Sequence, residues 1–117
     1  MQLQRSLDGG VTWQSPVTIP NGPIYGTPDV DTTGNLFIGG EGSSSFFCER
    51  STNAQIAAQT PRYDQSTAVN LGGFIGSGGI NPAGLTGQTF LAVDRSGGPT
   101  NNNVYMLASV RPTGFTT

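Results

Sequence analysis

Three features of the sequence predict an all-β chain. Short β-rich runs alternate with turn residues along its whole length. Apolar residues almost nowhere recur at helical spacing. Gly and Pro together make 26 of the 117 residues, far above the usual share, and so mark many turns. In chain order, the runs near residues 2–6, 17–19, 27–31, 35–39, 46–51, 67–71, 88–93 and 103–110 read as strands. Between them lie Asp-Gly-Gly, Thr-Thr-Gly-Asn, Gly-Glu-Gly-Ser-Ser-Ser and Ser-Gly-Gly-Pro-Thr. Gly and Asn there accept positive φ, and Ser, Thr and Asp bond to nearby backbone. The best helical stretch, residues 53–59, is a turn or two long before Pro61 stops it.

Among sandwich, barrel and propeller, internal repetition favours radially repeated four-stranded blades. Arg5-Ser6-Leu7-Asp8-Gly9-Gly10 is echoed 45 residues later by Arg50-Ser51-Thr52-Asn53-Ala54-Gln55. Val30-Asp31-Thr32-Thr33-Gly34 is echoed 63 residues later by Val93-Asp94-Arg95-Ser96-Gly97, and Asn35-Leu36-Phe37-Ile38 resumes as Asn103-Val104-Tyr105-Met106. The Gly-rich stretch 72–87 accounts for the unequal spacing as a longer connection.

The sharpest motif is Ser6-Leu7-Asp8-Gly9-Gly10-Val11-Thr12-Trp13. In a tight hairpin, Asp8 accepts backbone N–H groups while the Ser6 and Thr12 hydroxyls brace the loop. Gly10 takes a positive φ, and Trp13 is expected to bury its ring between sheets. This octapeptide resembles the Asp-box, or bacterial neuraminidase repeat, of sialidase-like β-propellers. Asn53 stands in a degenerate second copy, and residues 69–73, 81–88 and 104–107 also resemble bacterial exo-sialidase-like sequences. The resemblance implies that the box joins the third and fourth strands of a blade, on the face away from the active site, so Ser6, Asp8, Gly10, Thr12 and Trp13 are structural. It further implies a half blade over 1–19, a full blade over 27–71 and a half blade over 88–110. That is about two blades' worth of a six-bladed propeller, and hence a piece of a longer, secreted or periplasmic protein.

Charge narrows the function. Five Arg, no Lys and no His against seven acidic residues leave no basic footprint for nucleic acid and no His chemistry. Cys48 is the sole cysteine, which excludes an intrachain disulfide or a Cys-cluster metal site; beside Phe46 and Phe47 it reads as packed. No run is long and apolar enough to span a bilayer, and the first residues lack the apolar core of a signal peptide. No cofactor or metal is expected. Residues 29–35 have the oxygen ligands and Gly of a calcium loop but lack its full ligand series, so a plain hairpin is preferred.

A sialidase-like site needs an arginine cluster for the substrate carboxylate and an acid or Tyr nucleophile. No complete set can be assigned. Arg5 and Arg50 belong to the repeat and read as structural, and Arg95 falls on the box face. Opposite the box, Tyr25, Glu41, Ser43, Ser44, Ser45, Asn81 and Arg111 are placed near a ligand groove. Glu41 with Tyr25 is the one acid–phenol pair there and Arg111 the one cation; the competing reading is solvated loop polarity. The resemblance thus implies glycan hydrolysis or glycan binding by the parent protein, with no turnover by this chain alone, against a non-catalytic propeller scaffold for protein interaction. Exposed strand edges also lead to an expectation of self-association, with a ring of three copies foremost.

Overall fold

The computed structural model describes residues 1–75 and 88–114. Among these residues every regular element is a β-strand and every pairing is antiparallel. Strands β1 (Gln2–Leu3) and β2 (Val17–Thr18) form a hairpin. A four-stranded meander follows in sequence order: β3 (Ile24–Val30), β4 (Leu36–Glu41), β5 (Phe46–Ser51) and β6 (Gln65–Val69). A short strand β7 (Gly73–Phe74) precedes a second hairpin, β8 (Thr89–Val93) and β9 (Val104–Ala108). The final strand β10 (Arg111–Pro112) pairs back to β7.

The strands arise where the sequence places them, with shifts at their ends. The β1 ladder stops at Leu3 because the backbone from Arg5 onward enters the Asp8 turn. Strand β3 starts three residues earlier than expected, through a bulge between Ile24 and Thr27. Strand β6 lies two residues earlier, since Asp64 N–H already bonds the Arg50 carbonyl at 3.0 Å. Residues 53–59 form hydrogen-bonded turns and no helix: Ile56 N–H bonds Asn53 O and Gln59 N–H bonds Ile56 O. The stretch read as one long connection contains β7, and its residues 76–87, Asn81 among them, lie outside the described residues.

Strand β8 shows how the sheets join. Its Thr89-Phe90-Leu91-Ala92-Val93 alternation turns Thr89, Leu91 and Val93 inward and Phe90 outward. The inward face packs on β3 and β4. Gly39 permits this, since a Cβ there would meet Leu91 Cδ1 at 2.7 Å and Met106 Cε at 2.8 Å. Side chains then stand in for a ladder: Thr27 Oγ1 accepts Leu91 N–H at 2.9 Å and Asp29 Oδ2 accepts Val93 N–H at 2.8 Å. Arg95 secures the junction through Asp29 Oδ1 and the Val30 carbonyl. Among the described residues the buried apolar set is small, comprising Ile19, Ile38, Phe46, Ile75, Leu91 and Val93.

Candidate functional site

The tips of four hairpins gather at one end of the sheets. In the first, Asp8 is saturated with donors. Its Oδ1 accepts the Val11 and Thr12 N–H groups at 3.1 and 2.9 Å and the Ser6 hydroxyl at 2.7 Å, and its Oδ2 accepts the Thr12 hydroxyl at 2.6 Å. Ser6 Oγ also accepts Gly10 N–H, and Gly10 sits at φ +92°, a conformation that costs a side chain but not a glycine. These donors, led by the Thr12 hydroxyl, hold the Asp8 carboxyl down at about 2. Four local donors make this carboxylate the organiser of its own turn. Trp13 departs from expectation: it is 60 % exposed, because no second sheet covers this side of the hairpin among the described residues.

The degenerate copy is real at atomic level. Arg50 O accepts Asp64 N–H as Arg5 O accepts Gln14 N–H, Ser51 Oγ donates to Asn53 Oδ1 at 3.1 Å, and Arg62 N–H donates to Asn53 Oδ1 at 2.9 Å. The second loop is five residues longer, which sets Tyr63 where Trp13 stands in the first. Arg5 crosses to that longer loop, its guanidinium donating to the carbonyls of Ala54, Ile56, Ala57 and Gln59. Arg50 instead bridges Asp64 at 2.6 Å. Both arginines are therefore structural, as the repeat implied.

Asp31 and Asp94 form the other equivalent pair. Asp31 Oδ1 accepts the Thr33 and Asn35 N–H groups, both at 2.9 Å, and Asp94 Oδ1 accepts Ser96 N–H at 2.7 Å. The two tips touch through Thr32 and Asn102, 2.8 Å apart. Burial pushes the Asp31 carboxyl up, but its four donors outweigh this and leave it below the usual range. Residues 29–35 are a plain hairpin: Asp29 and Asp31 spend their oxygens on N–H and O–H donors. No group of three or more metal-ligating side chains occurs among the described residues.

The opposite end carries Tyr25, Glu41 and Arg111. Glu41, at the end of β4, is flanked in register by Ile24 and Phe46. Tyr25, next to Ile24, is half exposed and holds a φ of +53°, a strained setting for an aromatic residue. Glu41 Oε1 accepts Ile75 N–H at 3.0 Å, which ties it to the residue after β7. Arg111 opens β10 directly across from Phe74. Tyr25, Glu41 and Arg111 thus reach one end of the molecule. The Glu41–Phe46 turn, closed by Gly42 N–H on Ser45 O, carries Ser43, Ser44 and Ser45 beside them. A cleft of about 320 Å³ opens at this end between Ser44, Ser45, Asn70, Phe74 and Thr113, and Tyr25, Glu41 and Arg111 are not among its lining residues. The Phe74 ring stacks on buried Phe46, with centroids 6.5 Å apart and planes 18° apart, and its own surface is 41 % exposed. A larger cleft of about 400 Å³ lies at the turn end, but only neutral groups such as Gln14, Gln59 and Thr60 line it.

Two groups went unnoticed in the sequence. Phe74 lacked any strand pattern, being part of a two-residue strand. Glu49 is fully buried on β5, where Oε1 accepts from Ser66 Oγ at 2.8 Å and Asn21 Nδ2 at 3.2 Å. Its Oε2 and the Tyr63 hydroxyl are buried without hydrogen-bond partners. Burial, with the Glu49 charge nearby, pushes the Tyr63 phenol up to about 12. Neither lines the two clefts described above. Burial likewise raises the Cys48 thiol, in keeping with a packed role. No helix among the described residues is long and apolar enough to cross a membrane. Compared with protein-family models, curated proteins and solved structures, the chain matches none.

Proposed function

We propose that this chain is part of a sialidase-like β-propeller that takes a glycan at the end bearing Tyr25, Glu41 and Arg111. One observation carries the reading: these three residues and an aromatic-floored cleft lie at the end opposite the four carboxylate- or amide-locked hairpin tips. The grouping of strands as hairpin, four-stranded meander and hairpin supports blades of the Asp-box type. An exposed ring such as Phe74 suits the apolar face of a sugar, and Ser, Asn and Glu suit its hydroxyls. Arg111 supplies the charge for a carboxylated sugar. The parent protein works outside the cytoplasm on this reading.

The commitment of Glu41 Oε1 to Ile75 N–H favours binding over hydrolysis by this chain. It equally serves the second reading, a propeller scaffold that recognises protein. Titration of the 117-residue chain with sialyllactose, followed by amide NMR, separates them. Shifts should cluster at residues 24–25, 41–46, 70–74 and 111, weaken with lactose, and weaken again in Arg111→Ala. A fluorogenic sialoside should show no turnover. Absence of shifts at millimolar sugar, or shifts confined to the hairpin tips, rejects the glycan reading.

A further inference from the structure

The internal repeat defines what fits the open edge of β9. Strands β8 and β9 repeat β3 and β4: Asp94 N–H bonds Asn103 O as Asp31 N–H bonds Asn35 O. Strands β5 and β6 with the Asn53 turn repeat β1 and β2 with the Asp8 turn. In the meander, β4 is continued by β5, whereas among the described residues β9 pairs only with β8 and β1 only with β2. The hairpin that would continue β9 is therefore of the kind formed by β1 and β2.

We infer that β9 pairs with β1 of a second copy of this chain, in the register that β4 uses with β5. In the meander Leu36 faces Ser51, Ile38 faces Glu49 and Gly39 faces Cys48. Carried through the repeat, Val104 faces Ser6, Met106 faces Gln4 and Leu107 faces Leu3 of the partner copy. A second surface agrees independently. Phe90, Tyr105 and Leu107 form an apolar face, exposed by 54, 52 and 70 %. In the repeat, this face corresponds to the face of β3 and β4 that β8 covers. The outer face of β3, with Pro28 and a 44 % exposed Val30, corresponds to the covered face of β8, Leu91 and Val93. One partner copy thus offers β1 as the next strand and its β3 face as the cover. Such a head-to-tail contact closes when the rotation suits. Three copies would complete six blades. The pairing rests on the repeat and is independent of any ligand, while the count of three rests on the six-bladed reading proposed above.

Light scattering and disulfide trapping test it. The 117-residue chain at micromolar concentration should give three chain masses, falling to one in Leu107→Arg with the far-ultraviolet spectrum unchanged. In a Cys48→Ala background, Leu3→Cys with Leu107→Cys should oxidise to interchain-linked oligomers, whereas Leu3→Cys with Tyr105→Cys should not. A single chain mass for the folded wild type overturns the inference and assigns both surfaces to flanking sequence of a longer chain. Equal trapping by both cysteine pairs overturns the register.

Discussion

The Asp8 turn and the Asn53 turn are closed by equivalent backbone hydrogen bonds and share their first side-chain contacts, yet one uses an anion and the other a neutral amide. Their surroundings explain the choice. Asp8 is exposed, so its charge stays hydrated while four donors fix the loop. Asn53 is 6 % exposed beneath the longer loop that Arg5 pins down. Its amide must donate as well as accept: Nδ2 reaches Thr60 O at 3.0 Å and Gln59 Oε1 at 3.1 Å. A carboxylate has no proton to give those acceptors and loses its hydration there. A turn motif can therefore be kept while its charge is exchanged, once burial changes what the central side chain must do.

Asn53→Asp should break the comparison most strongly. It sets a buried carboxylate against two acceptors and should cost about 3–5 kcal/mol of stability, as an unpaired buried charge does. Urea denaturation at neutral pH measures this, and a neutral outcome would mean the site is wetter than its burial indicates. Arg5→Ala comes next, at about 1–2 kcal/mol, since charge-assisted bonds to carbonyls are worth more than neutral ones but these are largely exposed. Hydrogen exchange should localise that loss to residues 54–60 and leave the Val11 and Thr12 amides protected.

The smallest effect belongs to Asp8→Asn, which sharpens the comparison through pH. The Asp8 carboxyl lies at about 2 when folded, against 3.8 ordinarily. Its contribution is complete above the ordinary value and is lost as pH falls through the folded value, because the unfolded chain takes up the proton first. Denaturation midpoints for Asp8→Asn should therefore lie modestly below wild type at neutral pH, converge on wild type as pH falls from about 4 to 2, and so depend less on pH across that window. An unchanged acid limb would show that Asp29, Asp31, Asp64 and Asp94, also lowered, carry the whole dependence.

Much of the fold was legible because its signals are local. The hairpins at Asp31 and Asp94 and the Asp8 turn are closed by bonds within a few residues, so the types Asp, Ser, Thr and Gly suffice to mark them. The end of the sheet on which Tyr25 and Glu41 fall follows from counting strands, since hairpin parity decides which end a loop occupies. Illegible parts depended on distant partners. The five-residue insertion hid the match of Tyr63 with Trp13. Strands β7 and β10, two residues each, acquire meaning only by pairing with one another. Burial of Glu49 needs Asn21 and Ser66 from neighbouring segments.

By itself, then, the sequence determined the all-β class, the hairpin positions and the end on which each loop falls, since period-two alternation and turn chemistry act over ten residues or fewer. Only the tertiary structure decided which of two matching turns is buried, that Trp13 stays exposed, and that Glu41 spends an oxygen on Ile75. Those outcomes depend on chain segments tens of residues apart meeting in space, as when Arg5 reaches the carbonyl of Gln59 at 2.7 Å, and no local pattern encodes such a meeting.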